Sequence, residues 1–249
     1  MKNLKSFSIA AAASMLAVVG IGCAPAEPPE TMVEAPPPLS SDVVTSDEQQ
    51  AMTPDMVLAD LKAGNERFVA GKLTPRDYLA QASATASGQY PKAAILSCVD
   101  SRVPPEIIFD QGIGDVFVGR VAGNFENIDM LGSFEFATKA AGAKVIVVLG
   151  HSSCGAIKGA LNGVELGNLT EMLANFDGPV SEAREAILGP DDASNSELVE
   201  AAVEENVRQT MADILKDSPV IAEMVANGEV AVVGGIYDLA SGRVTWLDS

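Results

Sequence analysis

Histidine is almost missing from this chain: 249 residues hold one, His151. A site built on three histidines is thereby excluded within one chain, and any chemistry that needs imidazole must use this residue. Cysteine is scarce too. Cys23, Cys98 and Cys154 are too few for a disulfide framework. Basic residues number 16 against 34 acidic ones, for a formal net charge of −18. Phosphate contacts require clustered Lys and Arg, so no nucleic-acid partner is expected. The apolar stretch from Phe7 to Ile21 falls short of the roughly 20 residues that a membrane-crossing helix requires. What the chain does have is core material. Apolar residues make up 47% and charged residues 20%, which excludes a wholly disordered polypeptide.

The N-terminus reads as a targeting segment. Lys2 and Lys5 precede the charge-free apolar stretch, a pattern expected of a secretory signal over residues 1–23. Cys23, after Gly20-Ile21-Gly22, resembles the lipidated cysteine of bacterial lipoproteins, and Ala24-Pro25-Ala26 offers an ordinary cleavage site instead. Either route implies export, to the periplasm or to a bacterial membrane through a lipid on Cys23. Residues 24–52 carry Pro25, Pro28, Pro29 and Pro36 to Pro38 among acidic residues, and are expected to form a disordered tether.

A single domain is expected over residues 53–249. Thr53 and Pro54 open a helix that Gly71 can close. Short apolar runs at 93–97, 115–121, 144–149 and 230–236 read as buried strands, and 244–247 as a last one after the Ser241-Gly242 turn. Helical patterns at 128–141 and 197–215 lie between them. Continuous apolar strands alternating with helices predict an α/β fold, a mostly parallel central sheet flanked by helices with an antiparallel edge strand.

Two of these strands run straight into chemistry. The first ends at Cys98-Val99-Asp100-Ser101-Arg102, and the third at Gly150-His151-Ser152-Ser153-Cys154. In an open α/β sheet the carboxyl edge is where ligands bind, so neighbouring strands would bring these residues to one point. Two thiolates and one imidazole form a zinc-type ligand set, with Cys98, His151 and Cys154 as ligands. Asp100 has two partners open to it. It can pair bidentately with Arg102, or it can take the metal as a fourth ligand and close the site. A Cys98–Cys154 disulfide and a closed structural zinc site are the competing readings.

Cys-x-Asp-Ser-Arg, followed about fifty residues later by His-x-x-Cys, resembles the β-class carbonic anhydrases. The resemblance covers the chain from about Thr53 onward and implies one Zn²⁺ per subunit. The implied reaction is reversible hydration of CO₂ to bicarbonate and a proton, by attack of zinc-bound hydroxide. It implies Asp100 and Arg102 as catalytic residues, and Gln89, Phe117, Val121 and Phe136 around the substrate. It also implies a homodimer or higher homo-oligomer in which Gln89 and Phe117 reach the site of the partner subunit. Arg120 and Tyr237 match two positions of a regulatory bicarbonate site found in one subgroup. The Trp of that site falls at Ile95, so the set is incomplete and the resemblance is to members with Asp100 on Arg102. Two alternatives stay open at this point: a non-catalytic zinc-binding protein on the same fold, and a CS₂ or COS hydrolase.

Overall fold

Five apolar runs meet in one sheet, in the order β2-β1-β3-β4-β5: β1 Ala93–Ser97, β2 Val116–Arg120, β3 Val145–His151, β4 Ala231–Tyr237 and β5 Val244–Trp246. This is a computed structural model, and it describes residues 37–248. The first four strands pair in parallel and β5 pairs antiparallel to β4. The expected α/β class, with a mostly parallel sheet and an antiparallel edge, is therefore the fold observed.

Parallel strands need crossovers, and the helices that follow β1 supply them, while three more precede it. They are α1 (Ser46–Ala51), α2 (Pro54–Val69), α3 (Tyr78–Thr85), α4 (Pro105–Ile108), α5 (Ile128–Glu135), α6 (Gly155–Leu161), α7 (Asn168–Leu173), α8 (Asp177–Ala186), α9 (Ser196–Asp217) and α10 (Pro219–Ala226). Local sequence fixes their ends. The Thr53 hydroxyl accepts a hydrogen bond from the Met56 amide, Pro54 takes the first helical position, and Gly71 leaves α2 at φ +66°. Asn195 caps α9 by accepting from the Leu198 amide. No helix of the described residues is long and apolar enough to cross a membrane.

Strand alternation sorts the core into two layers. Ala94, Leu96, Ile146 and Val148 face Phe134, Val207, Ile214 and Ile221, on the side covered by α5, α9 and α10. Ala93, Ile95, Val145, Val147 and Leu149 face Val57, Leu61 and Phe109, on the side of α2. Covered on both faces, β1 and β3 are buried at every position and read as unbroken apolar runs. A third cluster gathers Cys98, Cys154, Ile157, Phe176 and Val203.

Three expectations need correction. The tether does not reach residue 52. Ser40 bridges to Arg76, residues 46–51 form a capped helix, and the buried Gln49 side chain donates to the carbonyls of Pro91 and Ala141. Polar composition hid a short helix whose amide is its anchor. β3 runs two residues further than expected, so His151 is its last residue, because the strand still pairs with β4 there. The helix expected over 128–141 changes at Phe136 into one π-helical turn, Phe136–Ala140. The signal segment and Cys23 lie outside the described residues.

Candidate metal centre

Register explains how the site assembles. β1 and β3 are neighbours, with Ser97 opposite Leu149, so the loop after Ser97 and the end of β3 emerge side by side. In this strand order the chain leaves β1 for β2 on one side and leaves β3 for β4 on the other, and the crevice at that switch point is the expected ligand site. Cys98, His151 and Cys154 converge there. One ligand atom from each lies within 4.8 Å of the others, and all three residues are buried. Ser153, at φ +56°, carries the short loop between His151 and Cys154 through the left-handed region, which a non-glycine residue enters at a cost.

The donor set fits a zinc ion. The His151 Nδ1 lies 3.0 Å from the Ser152 carbonyl oxygen, an acceptor, so Nδ1 carries the proton and Nε2 the lone pair. Nε2 is fully buried and has no hydrogen-bond partner among the described residues, as expected of a ligand atom. Both cysteines are free thiols, which corrects the disulfide reading. The hydrogen bond from Cys154 lowers the Cys98 pKa most, and His151 and the amides of Gly123 and Asp100 add to it against the opposing effect of burial. The same bond, with burial, pushes Cys154 up. A divalent cation would take both sulfurs as thiolates, with the neutral imidazole as third ligand.

Asp100 stands beside this cluster on Arg102. Arg102 Nε donates to Oδ1 at 2.9 Å, Nη2 to Oδ2 at 2.7 Å, and the Arg102 amide to Oδ1 at 2.9 Å. These bonds, with the charge of Arg102, hold the Asp100 carboxyl well below the usual range despite partial burial. Of the two arrangements open to Asp100, the structure holds the one in which it serves Arg102.

Arg120 does something that sequence reasoning missed. It ends β2 opposite Ser97, and its Nε and Nη2 donate to the carbonyls of Cys98 and Asp100, at 2.9 and 2.5 Å. It fixes the backbone that carries the ligand and the carboxylate. The Gly123 amide donates to Cys98 Sγ at 3.3 Å, a contact that the sequence does not announce. The signal for both was spacing from a predicted strand, but the contact partner is set by register.

The substrate residues are less gathered. Phe117 on β2 and Phe136 at the π-helical turn pack edge to face, 5.9 Å between ring centres. With Ile128, Met130 and Phe134 they line a cavity of about 740 Å³, open along the free edge of the sheet. None of the three cluster residues lines it. Val121, expected in the same pocket, is absent from that lining and packs against the layer under α5 and α9 and against the cluster around Cys98, because β2 ends before it and the chain turns inward. Gln89 is exposed on the connection from α3 to β1 and makes no hydrogen bond within its own subunit among the described residues.

Comparison with known proteins places this arrangement. The family profile described as "Carbonic anhydrase" matches residues 93–244. "Carbonic anhydrase 2" of Mycobacterium tuberculosis is 41% identical over 191 residues, 76% of this chain and 90% of that protein. The "Carbonic anhydrase" of Mycolicibacterium smegmatis is 40% identical over 186 residues, 74% of this chain and 88% of that one. A solved structure, one of two tetrameric β-carbonic anhydrases from Sordaria macrospora, superposes with a TM-score of 0.61 at 28% identity, covering 78% of this chain and 98% of that chain. The chain belongs to the carbonic anhydrase family, in its β class. It is a zinc enzyme that hydrates CO₂.

Proposed function

We propose that the enzyme acts with Asp100 on Arg102 and with a pocket completed by a second copy of the chain, at a site outside the cytoplasm. The observation that carries the mechanism is the Asp100–Arg102 fork beside three buried ligand atoms. A bound Zn²⁺ lowers the pKa of water from about 15.7 to near 7 and so supplies a nucleophile at neutral pH. The residues of the chain do the rest. Asp100, held as a carboxylate by Arg102, accepts the hydrogen bond that orients the attacking oxygen. Phe117 and Phe136 offer CO₂ an apolar wall, and a Gln89 amide donates to the oxygen that gains charge as carbon is attacked. The one histidine is committed to the metal, so the released proton leaves to solvent, buffer or a carboxylate.

A scaffold with a closed zinc site would need Asp100 on the metal, and here Asp100 is engaged elsewhere. The partner subunit is supported by the cavity along the free edge of β2, by exposed Ile128 and Phe136, and by Gln89 standing free of its own subunit. Export is supported by Lys2, Lys5, the apolar stretch and Cys23, with the proline-rich segment as spacer.

Stopped-flow CO₂ hydration by the zinc-loaded protein tests the reaction. Chelation abolishes turnover, zinc restores it, and Cys98→Ser does not recover. Full zinc occupancy without hydration across the neutral range would overturn the reading. Cell fractionation with mass spectrometry of the Cys23 peptide tests export and lipidation.

A further inference from the structure

Helix α9 buries a row of residues against the sheet and the site: Val199, Ala202, Val203, Asn206, Val207, Thr210 and Ile214. Two members are polar, Asn206 and Thr210, and Asn206 is the one that carries an amide. Asn206 is 3% exposed, in mid-helix, where an amide side chain costs free energy unless it is hydrogen-bonded. Its Nδ2 donates to the Gly123 carbonyl oxygen at 2.8 Å. The amide of that same Gly123 donates to Cys98 Sγ.

Gly123 cannot be another residue. Its φ is +82°, and a Cβ there would stand 2.3 Å from the Phe176 ring and 3.1 Å from the Ala156 methyl. The loop must come this close for its N–H to reach the sulfur. A glycine has the freest backbone of any residue, however, so a donor placed on it is poorly aimed unless something else fixes the peptide. The adjoining turn contributes one bond, from the Asn124 amide to the Val121 carbonyl. Asn206 adds the tie from outside the loop.

We propose that Asn206 is a positioning residue for the metal centre: by holding the Gly123 carbonyl it aims the Gly123 amide at the Cys98 thiolate. A hydrogen bond to a thiolate sulfur is charge-assisted and fixes the direction from which that sulfur is approached. Groups that orient metal ligands in this way typically contribute about 10- to 100-fold to metal affinity. The inference rests on Cys98 being a metal ligand.

The test replaces zinc by Co²⁺ in the full chain and in Asn206→Leu and Asn206→Asp, two variants of similar volume that cannot donate this bond as Asn does. The thiolate-to-cobalt charge-transfer band shifts to lower energy in the variants, because a sulfur without its hydrogen bond gives up charge more readily. Affinity for Co²⁺, read by chelator competition, falls about tenfold or more. A folded variant with the wild-type band and affinity within twofold overturns the proposal. A purely structural Asn206 would lower thermal stability and leave the band in place. The wild type carries the test without a variant. Its ¹¹³Cd form shows metal coupling to the Gly123 amide proton, and the Asn206 side-chain nitrogen couples to the Gly123 carbonyl carbon. Absence of either overturns the proposal even if both variants fail to fold. A wild type with no thiolate band overturns the metal-site reading itself, and the inference with it.

Discussion

Arg102 grips both carboxylate oxygens of Asp100, with Nε on one and Nη2 on the other. This fork decides whether Asp100 serves the reaction or the metal. Arg102→Leu releases it. The expected outcome is a loss of about 10²-fold or more in kcat/KM for CO₂ hydration with zinc still bound. Arg102→Lys does not restore activity, because an ammonium cannot make the two parallel bonds. Stopped-flow rates with metal analysis of the same samples check both.

Sharing of the pocket between subunits is tested by mixing. Gln89→Ala and Cys98→Ser homo-oligomers are each nearly inactive. Co-expressed in one cell, they form mixed dimers in which the intact ligands of one subunit meet the intact Gln89 of the other. About half of the wild-type activity per mixed dimer returns, since one of its two sites is whole. No recovery in purified mixed dimers shows that Gln89 serves its own subunit.

Asp110 is a buried carboxylate at φ +50° that ties three segments together. Arg67 Nε lies 2.5 Å from Oδ2, the Thr74 hydroxyl donates to Oδ2 at 2.8 Å, and Arg76 pairs with Oδ1. Burial alone would raise its pKa, but Arg67, Arg76 and Thr74 outweigh it and the value is lowered. A carboxyl lowered on folding adds stability above its unfolded pKa of about 3.9, and that stability is lost as pH falls through the folded value. Asp110→Asn keeps the shape and tolerates the positive φ. It costs about 1–3 kcal/mol at neutral pH, toward the lower end because Arg67 is about a third exposed. The gap to wild type closes as pH drops below about 4. Urea denaturation at a series of pH values measures it.

Gln49 anchors the N-terminal helix to the domain. Its Nε2 donates to the Pro91 carbonyl at 2.6 Å and to the Ala141 carbonyl at 2.8 Å. Gln49→Leu leaves both carbonyls without that donor and costs about 1–3 kcal/mol. A chain starting at residue 53 is less stable by at least that much than one starting at residue 37. Thermal melts of the two chains, both zinc-loaded, give the comparison.

Composition and spacing determined a good deal. The apolar runs at 93–97 and 144–149 read as strands covered on both faces, and β1 and β3 are just that. The single histidine left no choice of imidazole, and the two cysteines at strand ends left little choice of partner. These are local facts, set by hydrophobic pattern and by which side chains bind metal. Residues 46–51 differ. Thr45 and Glu48 form a capping box that starts their helix locally, but what holds it to the domain is a buried amide contact with carbonyls 42 and 92 residues away, which no local pattern records. The same holds within the site. Arg120 reaches Cys98 and Asp100 because β2 pairs with β1 in one register, and Asn206 meets Gly123 because α9 crosses behind the loop. The chain's own chemistry named the ligands, and the Asp100–Arg102 fork spans only two residues; the aim of Cys98 was decided by long-range hydrogen bonds that exist only once the sheet has formed.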